Sequence, residues 1–186
     1  IDELNPILDN RATRRLFRQE PFDPVGILIG SFVLFPQLEI GSSWSSNVFQ
    51  SPNARDDFAA DIRPSGRLVS NWGRHALEFS ATGAFSYYDE FTTENDESYS
   101  IESRGRLDLT RRSNIQAVIA RDRTLESRSA LDASIVGDRT QVTTDRAEVA
   151  LNHRFNRLSL QFRGSISDLQ YDDADAGSSD RNYTVT

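Results

Sequence analysis

The feature that most constrains this chain is an alternation of apolar and polar residues with period two, sustained from Gly26 almost to the end. Period two belongs to the β-strand, whose successive side chains leave opposite faces of a pleated backbone. In 32–49 the even positions read Phe32, Leu34, Pro36, Leu38, Ile40, Ser42 and Trp44, while the odd ones turn polar at Gln37, Glu39, Gly41, Ser43, Ser45 and Asn47. In 58–70, Phe58, Ala60, Ile62, Pro64, Gly66 and Leu68 oppose Asp61, Arg63, Ser65 and Arg67. In 77–87, Leu77, Phe79, Ala81, Gly83, Phe85 and Tyr87 oppose Glu78, Ser80, Thr82 and Ser86. The cleanest segment is 98–110, where Tyr99, Ile101, Gly105, Leu107 and Leu109 oppose Ser98, Ser100, Glu102, Arg104, Arg106 and Asp108. Segments 115–125, 143–153 and 157–167 continue the rule, and an eighth strand is predicted to begin at Asn182.

The connections alternate as well. Short ones fall at 71–75, 110–114 and 153–156, and longer polar ones at 50–57, 90–97, 126–141 and 172–181. A soluble sandwich also alternates, but its connections show no two-sided difference in length. A β-propeller has a comparable repeat, but each period would hold four short strands and a recurring dipeptide signature, and this chain has neither. A transmembrane barrel shows both features: lipid outside, a polar lumen inside, short turns on one rim and long loops on the other. The fold class expected is therefore all-β, an antiparallel up-and-down transmembrane barrel with about eight strands present.

Composition removes other classes. No stretch approaches the roughly 18–20 apolar residues of a membrane-spanning helix, since Val25–Phe35 is broken at Pro36. Cysteine is absent, so there is no disulfide framework, and two histidines 78 positions apart (His75 and His153) do not make a zinc site. The formal charge of −7 argues against a nucleic-acid partner. Every basic residue is arginine, a choice that suits phosphate, carboxylate or sugar contacts but equally follows from a GC-rich genome. No catalytic constellation survives: both histidines fall at short turns, and Glu102 and Asp108 lie about 20 Å apart along one strand. The acidic loop Asp172–Asp180 lacks the spacing of a calcium loop and reads as a solvated loop, and Asn182-Tyr183-Thr184 is an accidental acceptor motif. No metal and no cofactor are expected.

In this reading the lumen is lined by Glu39, Asp61, Arg63, Arg67, Glu102, Arg104, Arg106, Asp108, Arg157 and Arg163. Trp44, Trp72, Tyr87 and Tyr99 belong to aromatic girdles at the lipid interface. Arg121 and Arg123 share parity with Ile115 and Ile119, so either they project outward near the edge of the apolar band, placed to meet lipopolysaccharide phosphates, or a local bulge turns them elsewhere. The lumenal arginines form either a cationic lane or, with their acidic neighbours, a charge-balanced wall.

Two features fit less well. Pro36 and Pro64 fall inside strands, where proline removes a ladder donor, so bulges are expected there. The eighth strand is about half the roughly 9–11 residues needed to span. Residues 1–25, Arg-rich and interrupted by Pro6, Pro21 and Pro24, read as a periplasmic arm or linker, and 26–186 as barrel strands incomplete at the C-terminus. Without methionine or a leader-like stretch, Ile1 reads as a processed or trimmed start.

Phe22-Asp23-Pro24-Val25-Gly26, Gly30-Ser31-Phe32, Phe35-Pro36-Gln37-Leu38-Glu39-Ile40-Gly41 and Asn47-Val48-Phe49 resemble the outer-membrane β-barrel family of the "β-barrel porin 2" type. Arg74-His75-Ala76-Leu77, Gly105-Arg106-Leu107-Asp108 and His153–Leu160 are similar to its later hairpins, so the resemblance covers roughly 20–165. It implies a non-enzymatic barrel in the bacterial outer membrane and, through frequent neighbourhood with exopolysaccharide genes, a porin-like conduit for surface polysaccharide. Outer-membrane lipid and lipopolysaccharide are then the partners, with polysaccharide or other envelope proteins as further ones. The alternative is a plugged scaffolding barrel that holds partners in an outer-membrane assembly. A soluble β-domain is the third reading.

Overall fold

The computed structural model describes residues 25–125, 141–172 and 179–185. They form one antiparallel sheet of nine strands in sequence order. The strands are β1 (Ile27–Ile29), β2 (Phe32–Ser45), β3 (Asp57–Ser70), β4 (Ala76–Tyr88), β5 (Asp96–Asp108), β6 (Ser113–Leu125), β7 (Gln141–Arg154), β8 (Ser159–Asp172) and β9 (Ser179–Val185). Every strand pairs with its chain neighbours, and among the described residues β1 and β9 remain the two edges. β2 to β8 run 13 or 14 residues each, more than a tilted membrane crossing requires.

The alternation locates the seven long strands and misses one short one. The apolar run near the start folds back on itself: Ile27–Ile29 pairs with Phe32–Leu34 around a two-residue turn at Gly30-Ser31. Gly30 has φ +59°, which glycine adopts without the cost a Cβ would add. β9 begins at Ser179, three residues before the predicted start.

The two prolines do not make bulges. β2 pairs with β3 in unbroken register from Phe32–Ser70 to Ser45–Asp57, with Pro36 opposite Gly66 and Pro64 opposite Leu38. Pro36 tolerates its missing N–H because β1 covers only Phe32–Leu34, which leaves Pro36 on an open stretch of strand edge. At Pro64 the β3–β4 ladder skips, from Ile62–Phe85 to Ser65–Thr82, and resumes in the same register. Gly83 lies across this gap, and the Phe85 ring folds over it so closely that a Cβ there would come within 2.5 Å of the ring. A ring thus covers the place where the ladder is weakest.

The short connections 30–31, 71–75, 109–112 and 155–158 lie at one end of the sheet, and the loops after β2 and β4, with the last residues of β6 and β8, lie at the other. The loop segments 126–140 and 173–178, and the expected arm except Val25, lie outside the described residues.

Candidate lumenal wall and membrane belt

The register turns strand parity into two continuous faces. Even residues of β2 and β3 lie opposite one another, then odd residues of β4 to β7, then even residues of β8. One face therefore carries the apolar sets and the other the charged sets.

Burial is inverted relative to a water-soluble sheet. Leu38 (61%), Ile40 (71%), Phe58 (64%), Ile119 (65%) and Phe162 (64%) stand exposed on the apolar face. The buried residues of the strands lie mostly on the charged face: Asp57, Ala59, Asp61, Ala120 and Ala150. Water opposes such an arrangement, because each large apolar side chain left exposed forfeits about 1.5–3 kcal/mol. Over a dozen such residues that exceeds the whole stability of an ordinary domain, about 5–15 kcal/mol. The apolar face needs a nonpolar medium.

The outline of that face indicates the kind of medium. In β2 to β4 its apolar residues reach the loop end at Trp44, Phe58 and Tyr87. In β6 to β8 the unbroken apolar row stops at Ile119, Ala147 and Ile166, which align by register with Leu34 of β2, and beyond them on these three strands that face holds one apolar residue, Leu125. The other limit moves the same way, toward Leu109, Phe155 and Leu158 at the turn end. Between β2 and β8 the midpoint drifts by about eight residues over six strand spacings, roughly 27 Å along the strands against 29 Å across them. The belt therefore crosses the strands at about 40–45°, which is the tilt of strands in a membrane barrel. A band level with a bilayer must be oblique to strands that tilt through it.

Trp44 and Tyr87 stand at the loop-side limit of this belt, with Tyr99 level with Gly83, four residues further in than Tyr87, and Trp72 at its turn-side limit. Trp72 packs edge-on against Phe32 at 5.4 Å and its Nε1 donates to Ser31 Oγ at 3.2 Å. Arg121 and Arg123 lie just past Ile119 on the apolar face, as parity requires. Arg121 makes a fork-on-carboxylate pair with Asp145, Nε to Oδ1 and Nη2 to Oδ2 at 2.7 Å each. Arg123 donates to the Gln141 side chain. Both therefore have protein partners, which the sequence reading did not anticipate.

On the opposite face the expected lumenal residues assemble into pairs. Arg63 donates to Glu39 directly across the β2–β3 ladder at 2.8 Å. Arg104 meets Glu102 at 2.5 Å and Arg106 meets Asp108 at 2.9 Å, both within β5. Arg67 approaches Glu78 at 3.8 Å and stacks over Phe35, 4.9 Å from its centroid. Arg163 comes within 3.3 Å of Glu148, an ion pair whose angle makes no hydrogen bond. Asp61 accepts the Ser86 hydroxyl at 2.6 Å.

Arg157 is misplaced in the sequence reading. β8 begins at Ser159, so Arg157 belongs to the exposed β7–β8 turn and not to the wall. Glu78, Arg146 and Glu148, which the alternation also puts on the charged face, complete the charge pairs. Arg146 reaches Glu102 at 4.0 Å over Ala120, which lies opposite both, and this explains why so small a residue is buried. Between the charged rows runs one that holds a single charge, Asp122. Gln37, Ser65, Thr82, Ser100, Asp122 and Thr144 share one row and supply mainly hydroxyls. Near the turn end Gln161 donates to Asn152 at 2.8 Å, and Asn152 to Asn114 at 3.0 Å. The polarity of these residues was legible in the sequence, but their alignment into rows depends on register.

Among the described residues no group of histidine and carboxylate side chains could hold a metal ion. No helix among them is long and apolar enough to cross a membrane.

An oblique apolar belt backed by a paired-charge wall defines a sheet of the transmembrane β-barrel class. The chain matches the family described as "Putative beta-barrel porin 2" over residues 20–186 and belongs to that family. No curated protein and no solved structure matches it.

Proposed function

We propose that this chain builds the wall of a porin-like channel in the outer membrane, with its N-terminus and short turns on the periplasmic side. In this reading the channel passes hydrated, uncharged sugar-like solutes and serves the movement of surface polysaccharide. One observation carries the choice of solute: Arg63, Arg67, Arg104, Arg106, Arg146 and Arg163 each lie within 4.0 Å of a carboxylate. Neighbouring opposite charges cancel most of the field that would concentrate a counter-ion in a confined pore. What remains along the wall is hydrogen-bonding capacity, from hydroxyl and amide rows that match the hydroxyls of a sugar.

Planar-bilayer recording with the full chain tests this. Steady conductance is expected, with a reversal potential near zero in a tenfold salt gradient. Strong anion preference would restore the cationic lane and remove the argument for neutral solutes, and silence would favour the plugged scaffold.

A further inference from the structure

At the loop end of β3, three consecutive residues of the charged face are buried: Asp57 (6% exposed), Ala59 (3%) and Asp61 (7%). Their neighbours on the other face, Phe58 and Ala60, are exposed, so whatever covers the three lies on the lumenal side. Asp61 is bonded there by the Ser86 hydroxyl of β4, and over Asp57 the cover is the β4–β5 loop. The Asp57 carboxylate accepts the backbone N–H of Glu90 at 3.1 Å and of Phe91 at 3.0 Å, and Asp57 points to the charged face by register. A loop held by that carboxylate is drawn inward over the mouth instead of standing above it.

This loop is ordered by contacts of its own. It contains a 3-10 turn, Thr92–Glu94, whose Glu94 is 1% exposed. Asn95 Oδ1 accepts the Tyr88 N–H at 2.8 Å and fixes its return to the strand. Phe91 meets Phe49 of the β2–β3 loop edge-on at 4.9 Å, and the Arg55 guanidinium lies 5.8 Å from the Phe91 ring. The β2–β3 loop is itself closed by Val48 N–H to Arg55 O at 2.9 Å and by the Asn47–Ser51 bonds. Two loops thus share one small apolar cluster at the loop end of the sheet.

We infer that these two loops form a fixed shelf across the loop-side mouth, tied down at Asp57, and that this shelf sets the size limit of the solutes that pass. The inference rests on the channel reading above and deepens it, because it places selection by size at the mouth and leaves the wall without a charge filter.

The test uses the full chain, which has no native cysteine. Thr93→Cys places one thiol at an exposed position of the shelf, and Arg111→Cys places one on the opposite rim as a control. A bulky thiol reagent is expected to cut the single-channel current of the Thr93→Cys protein by more than half and to leave the control near its starting value. Asp57→Ala, with folding checked by heat-dependent gel migration, is expected to raise conductance about twofold and to admit larger oligosaccharides in vesicle-swelling assays. Current that persists undiminished after complete labelling at Thr93→Cys overturns the shelf while leaving the channel standing. The absence of any current from inserted wild-type protein overturns both.

Discussion

Two arginine–carboxylate pairs join directly opposed residues of neighbouring strands, and they sit on opposite faces of the sheet. Glu39–Arg63 lies on the charged face, and Arg121–Asp145 lies on the apolar face beyond Ile119. The first is a single contact between two half-exposed side chains, one among many charges in a wet wall. The second is bidentate, and its charged neighbours on that face are Asp168, across from Asp145, and Arg123. The difference shows what each face asks of a charge. On the charged face, a charge has a neighbour of opposite sign. On the apolar face, among the described residues, Arg121 stands where the oblique belt has ended and is matched atom for atom by Asp145.

The largest effect expected from this contrast comes from placing a charge within the belt. Phe162 stands near its midpoint on β8, and Gln161, the preceding residue, faces the wall. Phe162→Arg should cost about 2–4 kcal/mol in unfolding from lipid vesicles, while Gln161→Arg should stay within about 1 kcal/mol. Equal costs would mean that the two faces do not meet different media.

A smaller effect separates the two pairs themselves. Double-mutant cycles to alanine should give about 0.2–0.5 kcal/mol for Glu39–Arg63, as for exposed pairs generally. The coupling at Arg121–Asp145 should exceed it roughly twofold, because both guanidinium donors are aligned on both oxygens. A coupling below that of Glu39–Arg63 would place the outer pair in bulk water and move the edge of the belt inward.

These contrasts also mark what could be read from the residues alone. Alternation places Phe162 and Gln161 on opposite faces without any structure, because parity is a local property of a strand. It also places Arg121 outward. It cannot find Asp145 as its partner, since that needs the β6–β7 register across a loop of unfixed length. Arg157 fails for a related reason: parity continues through a short turn, and nothing local separates the last turn residue from the first strand residue. Pro64 looked like a bulge because proline opposes a ladder. The register shows a skipped pair instead, with Gly83 opposite and the Phe85 ring over the gap. Asp57 was invisible, because its role depends on a loop more than thirty residues away.

The smallest effect concerns Asp57, which stands at the loop rim outside the belt. Burial by itself would raise its pKa, but three backbone N–H bonds, from Phe91, Glu90 and Phe58, outweigh burial and hold the carboxyl below its ordinary value of 3.8. A folded-state pKa below the unfolded one means that the anchored loop is stabilised above the unfolded value, and that this contribution fades as pH falls through the folded value. Hydrogen-exchange protection of the Glu90 and Phe91 amides should therefore be level from neutral pH to about 5 and decline once the pH drops below 3.8. Glu90 and Glu94 are carboxylic side chains of the same loop, so the wild-type profile alone does not single out Asp57. Asp57→Asn does: it keeps one acceptor oxygen, removes the charge, and should show lower protection at neutral pH with a flatter acid limb. The interior pair Glu39–Arg63 touches neither amide and should leave the profile unchanged when removed. A wild-type profile flat to pH 2 would show that the loop is held by its Phe49–Phe91 contact and not by the carboxylate, and would leave Asp57 a bystander at the mouth.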